Sequence, residues 1–137
     1  MAWLAYTLIT VALWTGWSFF GKIALDHTTS VQAAIVFGVV TTLVGLVAIA
    51  LGQRTTSWSP SALWIAVISA ISGGTGMITF YLALQNGKAS AVVPIIGLYP
   101  AIVALLSVAF LGEKLNGVQY FGILLAVTGA VLIGAGS

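Results

Sequence analysis

The chain has 137 residues, of which 61% are hydrophobic and 4% charged, and its formal net charge is +2. So few charged side chains cannot cover a water-soluble domain, and no Lys/Arg run indicates nucleic acid as a partner. The chain has no cysteine, one histidine and two acids, which excludes disulfides and leaves too few ligands for a metal site. No cofactor is therefore expected.

Five apolar stretches fill the chain, separated by short polar joints that carry nearly all the charges. Each stretch is about 20 residues long, the length that a helix needs to cross a hydrocarbon layer about 30 Å thick. Lipid-exposed strands would leave their edge hydrogen bonds unsatisfied, so only helices fit. The sequence predicts an all-α, multi-pass protein of the cell inner (plasma) membrane. We expect one domain over 1–137, with helices over about 3–25, 31–51, 61–85, 89–111 and 117–134.

Polar residues and glycines in the joints predict where several helices begin and end. Ser30 is placed to cap the second helix, and Asn116 to cap the last. Ser59-Pro60 is typical of an N-cap followed by proline at the first helical position. Gly52 follows the second stretch, where a left-handed residue commonly ends a helix.

The charges of the loops do not decide how the protein is oriented in the membrane. With five spans the termini lie on opposite sides, and the N-terminal side carries Arg54 and Lys114 while the other carries Lys22 and Lys88. Because the Lys/Arg bias between loops normally sets orientation, two interpretations remain open. Copies insert both ways and pair as an inverted dimer, or a deeper charge or a paired protein fixes one orientation.

Glycines recur every seven residues in the second and last stretches and so line up on one helix face. Small residues let membrane helices approach closely. In the second stretch we favour packing within the chain. In the last stretch, a terminal helix with a free face, we favour a dimer interface that includes Gly122, Ala126 and Gly129. The second-stretch series is Gly38, Gly45 and Gly52, and the last adds Gly136.

Aromatic residues at mid-membrane depth are the first candidates for a site. Trp14 is central in the first stretch and shares a helix face with Thr10, Trp17 and Gly21. It either lines a cavity, where it would stack on an apolar or cationic solute, or packs in the bundle, where its N–H would need a partner. Tyr81, late in the third stretch, is also placed to face an interior.

Two prolines interrupt the fourth stretch. Pro94 and Pro100 each lack an amide donor, which frees the carbonyls of Ser90 and Ile96. Freed carbonyls in a membrane must face protein or water, so this helix either lines a cavity or flexes. Tyr99 lies beside one of the bends and is a further candidate for solute contact.

The few charged residues argue against enzymatic or proton-coupled chemistry. Asp26 and Glu113 lie at span ends, so no carboxylate occupies the middle of a span. Lys22 and Lys88 are expected to extend to the headgroups, with anion binding as the alternative. His27, a loop residue, has no matching serine at membrane depth, so no enzyme is expected.

Three stretches of the second half carry a pattern of their own. They read YLALQNGKASAVVPIIGLYPAIVALLS over 81–107, LGEKL over 111–115 and QYFGILLAVTG over 119–129. With their alanine–leucine pair, two prolines, Gly-Glu pair and late glycines, they resemble the EamA-type domain of the drug/metabolite transporter superfamily. The first stretch, with Trp14 and Lys22, is similar to that family's opening helix, so the resemblance covers essentially the whole chain.

The resemblance implies a fold and a mode of action. The usual family member has two such domains in tandem, ten helices related by inverted symmetry, and moves small metabolites or drugs by alternating access. This chain would be one half of a ten-helix inverted-repeat transporter and would need a second copy. The family's Gly-Glu pair corresponds to Gly112 and Glu113, interpreted as a helix stop and a loop-anchoring charge. Four-helix relatives that expel cationic drugs use a glutamate in the first helix, and its absence here argues against that coupling.

The predicted function is carriage of a small metabolite or drug-like solute by alternating access, by an antiparallel homodimer of dual topology, through uniport or exchange. Two alternatives remain: a lipid or lipid-linked-sugar translocase, and a non-transporting subunit that pairs with another small membrane protein. The expected partners are the solute, membrane lipids and a second copy or paired protein, without nucleic acid. The predicted cavity residues are Trp14, Trp17, Tyr81 and Tyr99, and the predicted flexing residues are Pro94 and Pro100.

Overall fold

A computed structural model describes residues 2–53 and 59–136, and within these ranges the regular structure is entirely helical. Five spans within the described residues are long and apolar enough to cross a membrane, the fourth of them made of two consecutive helices, α4 and α5. The prediction of an all-α membrane protein with five spans is confirmed. The helices are α1 (Ala2–Ala24), α2 (Ser30–Ala50), α3 (Pro60–Asn86), α4 (Ala89–Ile96), α5 (Tyr99–Leu111) and α6 (Gly117–Ala135).

The start of α2 differs by one residue from the prediction that Ser30 is its cap. Thr29 is the N-cap, with an extended backbone (φ −86°, ψ 157°), and its side chain accepts a hydrogen bond from the Gln32 backbone N–H. The Gln32 side chain in turn accepts from the Thr29 N–H, which completes a capping box. Such a box needs Gln or Glu three residues after the cap. Gln32 supplies it for Thr29, whereas Ala33 would follow Ser30.

The other predicted helix ends are confirmed. Asn116 caps α6 through a second capping box, with Gln119 as its partner. Ser59 accepts a hydrogen bond from a first-turn N–H of α3, which begins at Pro60. Gly52 follows α2 with a φ of +89°, the left-handed conformation that glycine adopts without strain.

The fourth span is divided, although the sequence predicted one helix over 89–111. Gly97 (φ −56°, ψ −2°) and Leu98 (φ −75°, ψ −22°) separate α4 from α5 and keep a right-handed backbone. The Leu98 N–H reaches back three residues rather than four, at 3.1 Å. Pro94 and Pro100 flank this point, and each removes an amide that would have continued the helical ladder.

The chain divides into two compact units, Met1–Asn86 and Gly87–Ser137, called here the first and second units. In the first unit α3 contacts both α1 and α2, and in the second α6 contacts both α4 and α5. The first unit buries large side chains near the end of α3, whereas the second packs through small ones. The buried residues of the described ranges are Leu25, Ser30, Phe80, Tyr81 and Leu84 in the first unit and Ala91 and Ala130 in the second.

Large apolar side chains are exposed along the helices of both units. Phe20 is 68% exposed on α1, Val44 63% on α2, Phe110 79% on α5 and Leu132 68% on α6. Surfaces of this kind would promote aggregation in water, but lipid tails cover them at no cost in a bilayer. The exposure pattern agrees with the membrane assignment made from composition.

The glycines of α2 do not pack as the sequence predicted. Within the described residues, a Cβ placed on Gly38 or Gly45 would have no atom within 4 Å. The expectation that this face packs inside the chain is therefore not met within the first unit at these two positions. The physical reason is that α2 contacts α3 without using the glycine face.

The small residues of α6 divide between a packed face and an open one. A Cβ on Gly134 would lie 3.3 Å from the Ile95 side chain of α4, and Ala130 is buried one turn earlier. By contrast, Gly122 and Gly129 would meet no atom of the described residues within 4 Å. These two glycines leave an open stretch on α6, and their assignment to a dimer interface stays a prediction.

Candidate functional site

The first unit contains a cavity of about 750 Å³, called here the first cavity, bordered by α1 and α2 and by Tyr81 of α3. Its volume falls within the range of about 300–1,000 Å³ that is usual for small-molecule sites. Aromatic and aliphatic side chains form most of its wall, and none of the described residues that line it is charged. Its principal lining residues are Leu13, Trp14, Trp17, Gly21, Gln32, Phe37 and Tyr81.

Trp17 connects the three helices around the first cavity. Its indole N–H donates to the Tyr81 hydroxyl oxygen at 2.8 Å. Its ring stacks on Phe80 with centroids 4.8 Å apart and 27° between planes, and it meets Phe37 of α2 at 5.4 Å. Because both its polar atom and its ring faces are engaged, Trp17 holds the wall of the cavity in a defined position.

Trp14 lines the same cavity with more freedom. Its side chain is 53% exposed and meets Trp17 edge to face, with centroids 6.5 Å apart. The helical face predicted from sequence is present for Trp14, Trp17 and Gly21, all of which line the cavity. Thr10 does not line it, and its hydroxyl donates to the Tyr6 carbonyl one turn earlier.

Tyr81 and Gly21 set how closely α1 approaches α3. Tyr81 is only 3% exposed, and a Cβ on Gly21 would lie 3.2 Å from the tyrosine ring. This distance is tighter than ordinary van der Waals contact, so a side chain at residue 21 would push the ring away. Gly21 therefore allows the approach that brings the Tyr81 hydroxyl within reach of Trp17.

Lys22 has a role that the sequence did not reveal. Its ammonium donates a hydrogen bond to the carbonyl oxygen of Leu84, a fully buried residue in the last turn of α3. The last carbonyls of a helix have no partner within it and carry the negative end of the helix dipole, so a cation there is favourable. Sequence reasoning considered only headgroups and anions for Lys22, because nothing local relates it to a helix end 62 residues away.

The second unit holds the remaining sequence candidates. Tyr99 opens α5, is 48% exposed and lines neither of the two cavities described here. Pro100 lines a smaller cavity of about 420 Å³, called here the second cavity, together with Gly122 and Ala126 of α6. Three of the four predicted cavity aromatics thus meet at the first cavity, and Tyr99 belongs to the other unit.

Two predictions fall outside the described residues. Arg54, one of the two loop cations on the N-terminal side, lies in the range 54–58, which the structure does not describe. Trp58 lies in the same range. Its position near the end of a span predicts, from the sequence, a side chain that anchors at the membrane interface. The balance of loop charges therefore stays a prediction from sequence.

Comparison with known proteins identifies the family. Residues 1–135 match the model of the EamA-like transporter family. An uncharacterized protein of Methanocaldococcus jannaschii is 34% identical over 116 residues, which cover 85% of this chain and 84% of the relative. An uncharacterized transporter from the cobO 3′ region of a Sinorhizobium species is 28% identical over 139 residues, 96% of each chain. No solved structure matches. Since the family match spans both units, this chain belongs to the EamA-like transporter family and is a multi-pass membrane protein of transporter type.

Proposed function

We propose that this protein carries a small, mostly apolar solute across the membrane by alternating access, as a homodimer of oppositely oriented copies. The observation that carries the proposal is the first cavity, an aromatic-walled space of about 750 Å³ in a chain of transporter family. Its lining includes Trp14, Trp17 and Phe37, whose rings offer flat apolar surfaces to a solute. Uniport or exchange suits it better than proton coupling, because no carboxylate is among the lining residues.

The first cavity also supports the need for a second copy. Several of its lining side chains are largely exposed, including Phe20 at 68% and Val36 at 63%, so the first unit by itself leaves the wall open. The two relatives are covered over 84% and 96% of their own length, which leaves no room in them for a tandem domain. A second copy would supply the missing half, and Gly122 and Gly129 on α6 are candidates for the contact.

Solute flux into proteoliposomes tests the site assignment. Trp14→Ala and Trp17→Ala should each lower the flux, since both remove an aromatic ring that lines the first cavity and is proposed to contact solute. Trp64→Ala and Tyr120→Ala are matched controls, because these rings are 68% and 46% exposed and line neither cavity. Unchanged flux in both test variants would show that the assigned residues are wrong.

Single-cysteine labelling tests the inverted dimer. The chain has no native cysteine, so a thiol introduced near either terminus is the only reactive one. We expect each terminus to be labelled from both faces of intact cells, and a chain held monomeric in lipid nanodiscs to lose transport after reconstitution. Labelling of each terminus from one face only would contradict dual topology. Full flux from a monomer would contradict the requirement for a dimer.

A lipid translocase is the second candidate. The observation that favours it is the distribution of polarity in the first cavity. Thr28 and Gln32 lie around the start of α2, whereas farther along α2 the lining is apolar except for Thr41, whose hydroxyl donates to the Phe37 carbonyl of its own helix. This gradient also suits a molecule with a polar head and an apolar tail. Acyl chains retained by the purified protein, detected by mass spectrometry, would favour the lipid substrate over a free solute.

A further inference from the structure

The polar end of the first cavity carries a hydrogen-bond donor that the capping of α2 leaves available. Gln32 lines the cavity, and its Oε1 accepts from the Thr29 N–H at 2.9 Å and from the Thr29 hydroxyl at 3.2 Å. An amide group carries its oxygen and its NH₂ on the same carbon, so the contacts of Oε1 with Thr29 leave the Nε2 donor outside the capping box. Within the described residues, Nε2 has no hydrogen-bond partner, and both its hydrogens are available.

The other polar side chains of this cavity are already engaged. The hydroxyls of Thr28 and Thr41 donate to carbonyls of their own helices, at 2.9 Å to Ala24 and 2.6 Å to Phe37. The Tyr81 oxygen accepts from Trp17, and with 3% exposure its hydroxyl is much less accessible than the exposed Gln32 amide. Gln32 is therefore the accessible donor of the cavity.

We propose that the first cavity selects uncharged solutes that combine an apolar, preferably aromatic, body with a hydrogen-bond acceptor, and that Gln32 donates to this acceptor. The inference rests on the proposed transport function and narrows its solute class. An ion would lose hydration in a cavity that offers no opposite charge among its lining residues, which disfavours charged and zwitterionic solutes. The positive end of the α2 dipole also favours an acceptor beside Gln32.

The Gln32→Glu variant removes the hydrogen-bond donor of this side chain and keeps its role in the cap of α2. Glutamate at this position of a capping box still accepts from the Thr29 N–H, so the start of α2 is retained. The free NH₂ is replaced by a second oxygen that carries negative charge. Binding of a neutral acceptor should weaken, and binding of a cation should strengthen, each by at least about tenfold.

Three probes with the same aromatic body make the test: acetophenone, which has an acceptor, toluene, which has none, and benzyltrimethylammonium, a cation. Equilibrium dialysis against the full chain in nanodiscs, with protein-free nanodiscs as background, gives the affinities. The wild type should bind acetophenone best and the cation worst. Gln32→Glu should reverse this order, and Gln32→Met should reduce acetophenone to the level of toluene while leaving toluene unchanged.

Controls keep the outcome unambiguous. Gln119→Glu makes the same substitution in the capping box of α6 and should leave the order of probes unchanged. Thermal unfolding of Gln32→Glu should match or exceed that of the wild type. If both Gln32 variants bind the three probes in the wild-type order of affinity, Gln32 is not the donor. This holds also if Trp14→Ala abolishes all binding, a result that would support the cavity as the binding site. If the wild type binds no probe above background and Trp14→Ala keeps full flux, the solute class and the proposed function both fail.

Discussion

The two units of this chain use opposite means of packing. The first unit joins its helices through aromatic rings, a Trp17–Tyr81 hydrogen bond and the Lys22–Leu84 bond, and it borders the larger of the two cavities, which is partly open. The second unit has one span divided at Gly97, two prolines beside the division, and contacts made mainly by small residues such as Ala91 and Ala130.

This difference suggests a division of tasks within one family domain. The aromatic rings of the first unit are fixed from several sides, as the wall of the proposed solute site would require. A span whose hydrogen-bond ladder is interrupted bends at low cost, which the second unit provides. Substitutions in the first unit should therefore act mainly on stability and binding, and those in the second mainly on the rate of transport.

Substitution of Tyr81 is expected to have the largest effect on the free energy of unfolding. Tyr81→Ala removes a buried ring and the acceptor of the Trp17 N–H, and should lower the free energy of unfolding by about 3 kcal/mol. Tyr81→Phe keeps the ring and should lose only about 1 kcal/mol. Unfolding in mixed micelles, followed by circular dichroism, measures both. Tyr99→Ala is the control in the second unit, since that ring is 48% exposed. An equal decrease in the free energy of unfolding for this variant would contradict the difference in packing between the two units.

A smaller effect is expected where α1 meets α3. Gly21→Val places a branched side chain against the Tyr81 ring, and overpacking of this kind should lower the free energy of unfolding by about 1–3 kcal/mol. Gly38→Val is the matched control, because its Cβ position is open in the described structure, and should change stability by less than about 0.5 kcal/mol. If Gly38→Val proved as costly, that face of α2 would be packed against a second molecule.

Lys22→Met tests the bond to the end of α3. The apolar stem is preserved while the charge at the helix end is lost, so we expect a decrease of about 1 kcal/mol in the free energy of unfolding. Lys88→Met is the control, because Lys88 precedes α4 without a side-chain capping hydrogen bond. Equal unfolding transitions for the two variants would contradict the role assigned to Lys22.

Pro94→Ala should have the smallest effect on stability and a measurable one on rate. Alanine restores an N–H for the Ser90 carbonyl and stiffens α4, so solute flux should fall severalfold while solute affinity is retained. Pro60→Ala is the control, since proline at the first position of α3 interrupts no helical bond. A rate equal to that of the wild type would show that the bend is static.

Sequence reasoning succeeded where a short stretch of chain decides the structure. The five spans, the cap at Asn116, the left-handed Gly52 and the shared face of Trp14, Trp17 and Gly21 follow from apolar length, local hydrogen bonds and helical period. It failed at the start of α2, where Ser30 was predicted as the N-cap. Serine and threonine are both good caps, and only Gln32, three residues after Thr29, favours Thr29. The division of the fourth span at Gly97 was also missed, because the two prolines indicate that the helix is interrupted but do not determine which residue leaves it.

The amino-acid sequence by itself determined that this is a five-span membrane protein with an aromatic face on its first helix, since length, apolarity and periodicity are properties of single helices. Only the tertiary structure decided that Trp17 bonds to Tyr81, that Lys22 reaches the end of α3 and that Gln32 opens onto the same cavity. These contacts depend on how each helix is rotated about its axis. In a bilayer that rotation is set by close packing, because lipid tails are as apolar as the side chains and hydrophobicity does not choose between faces.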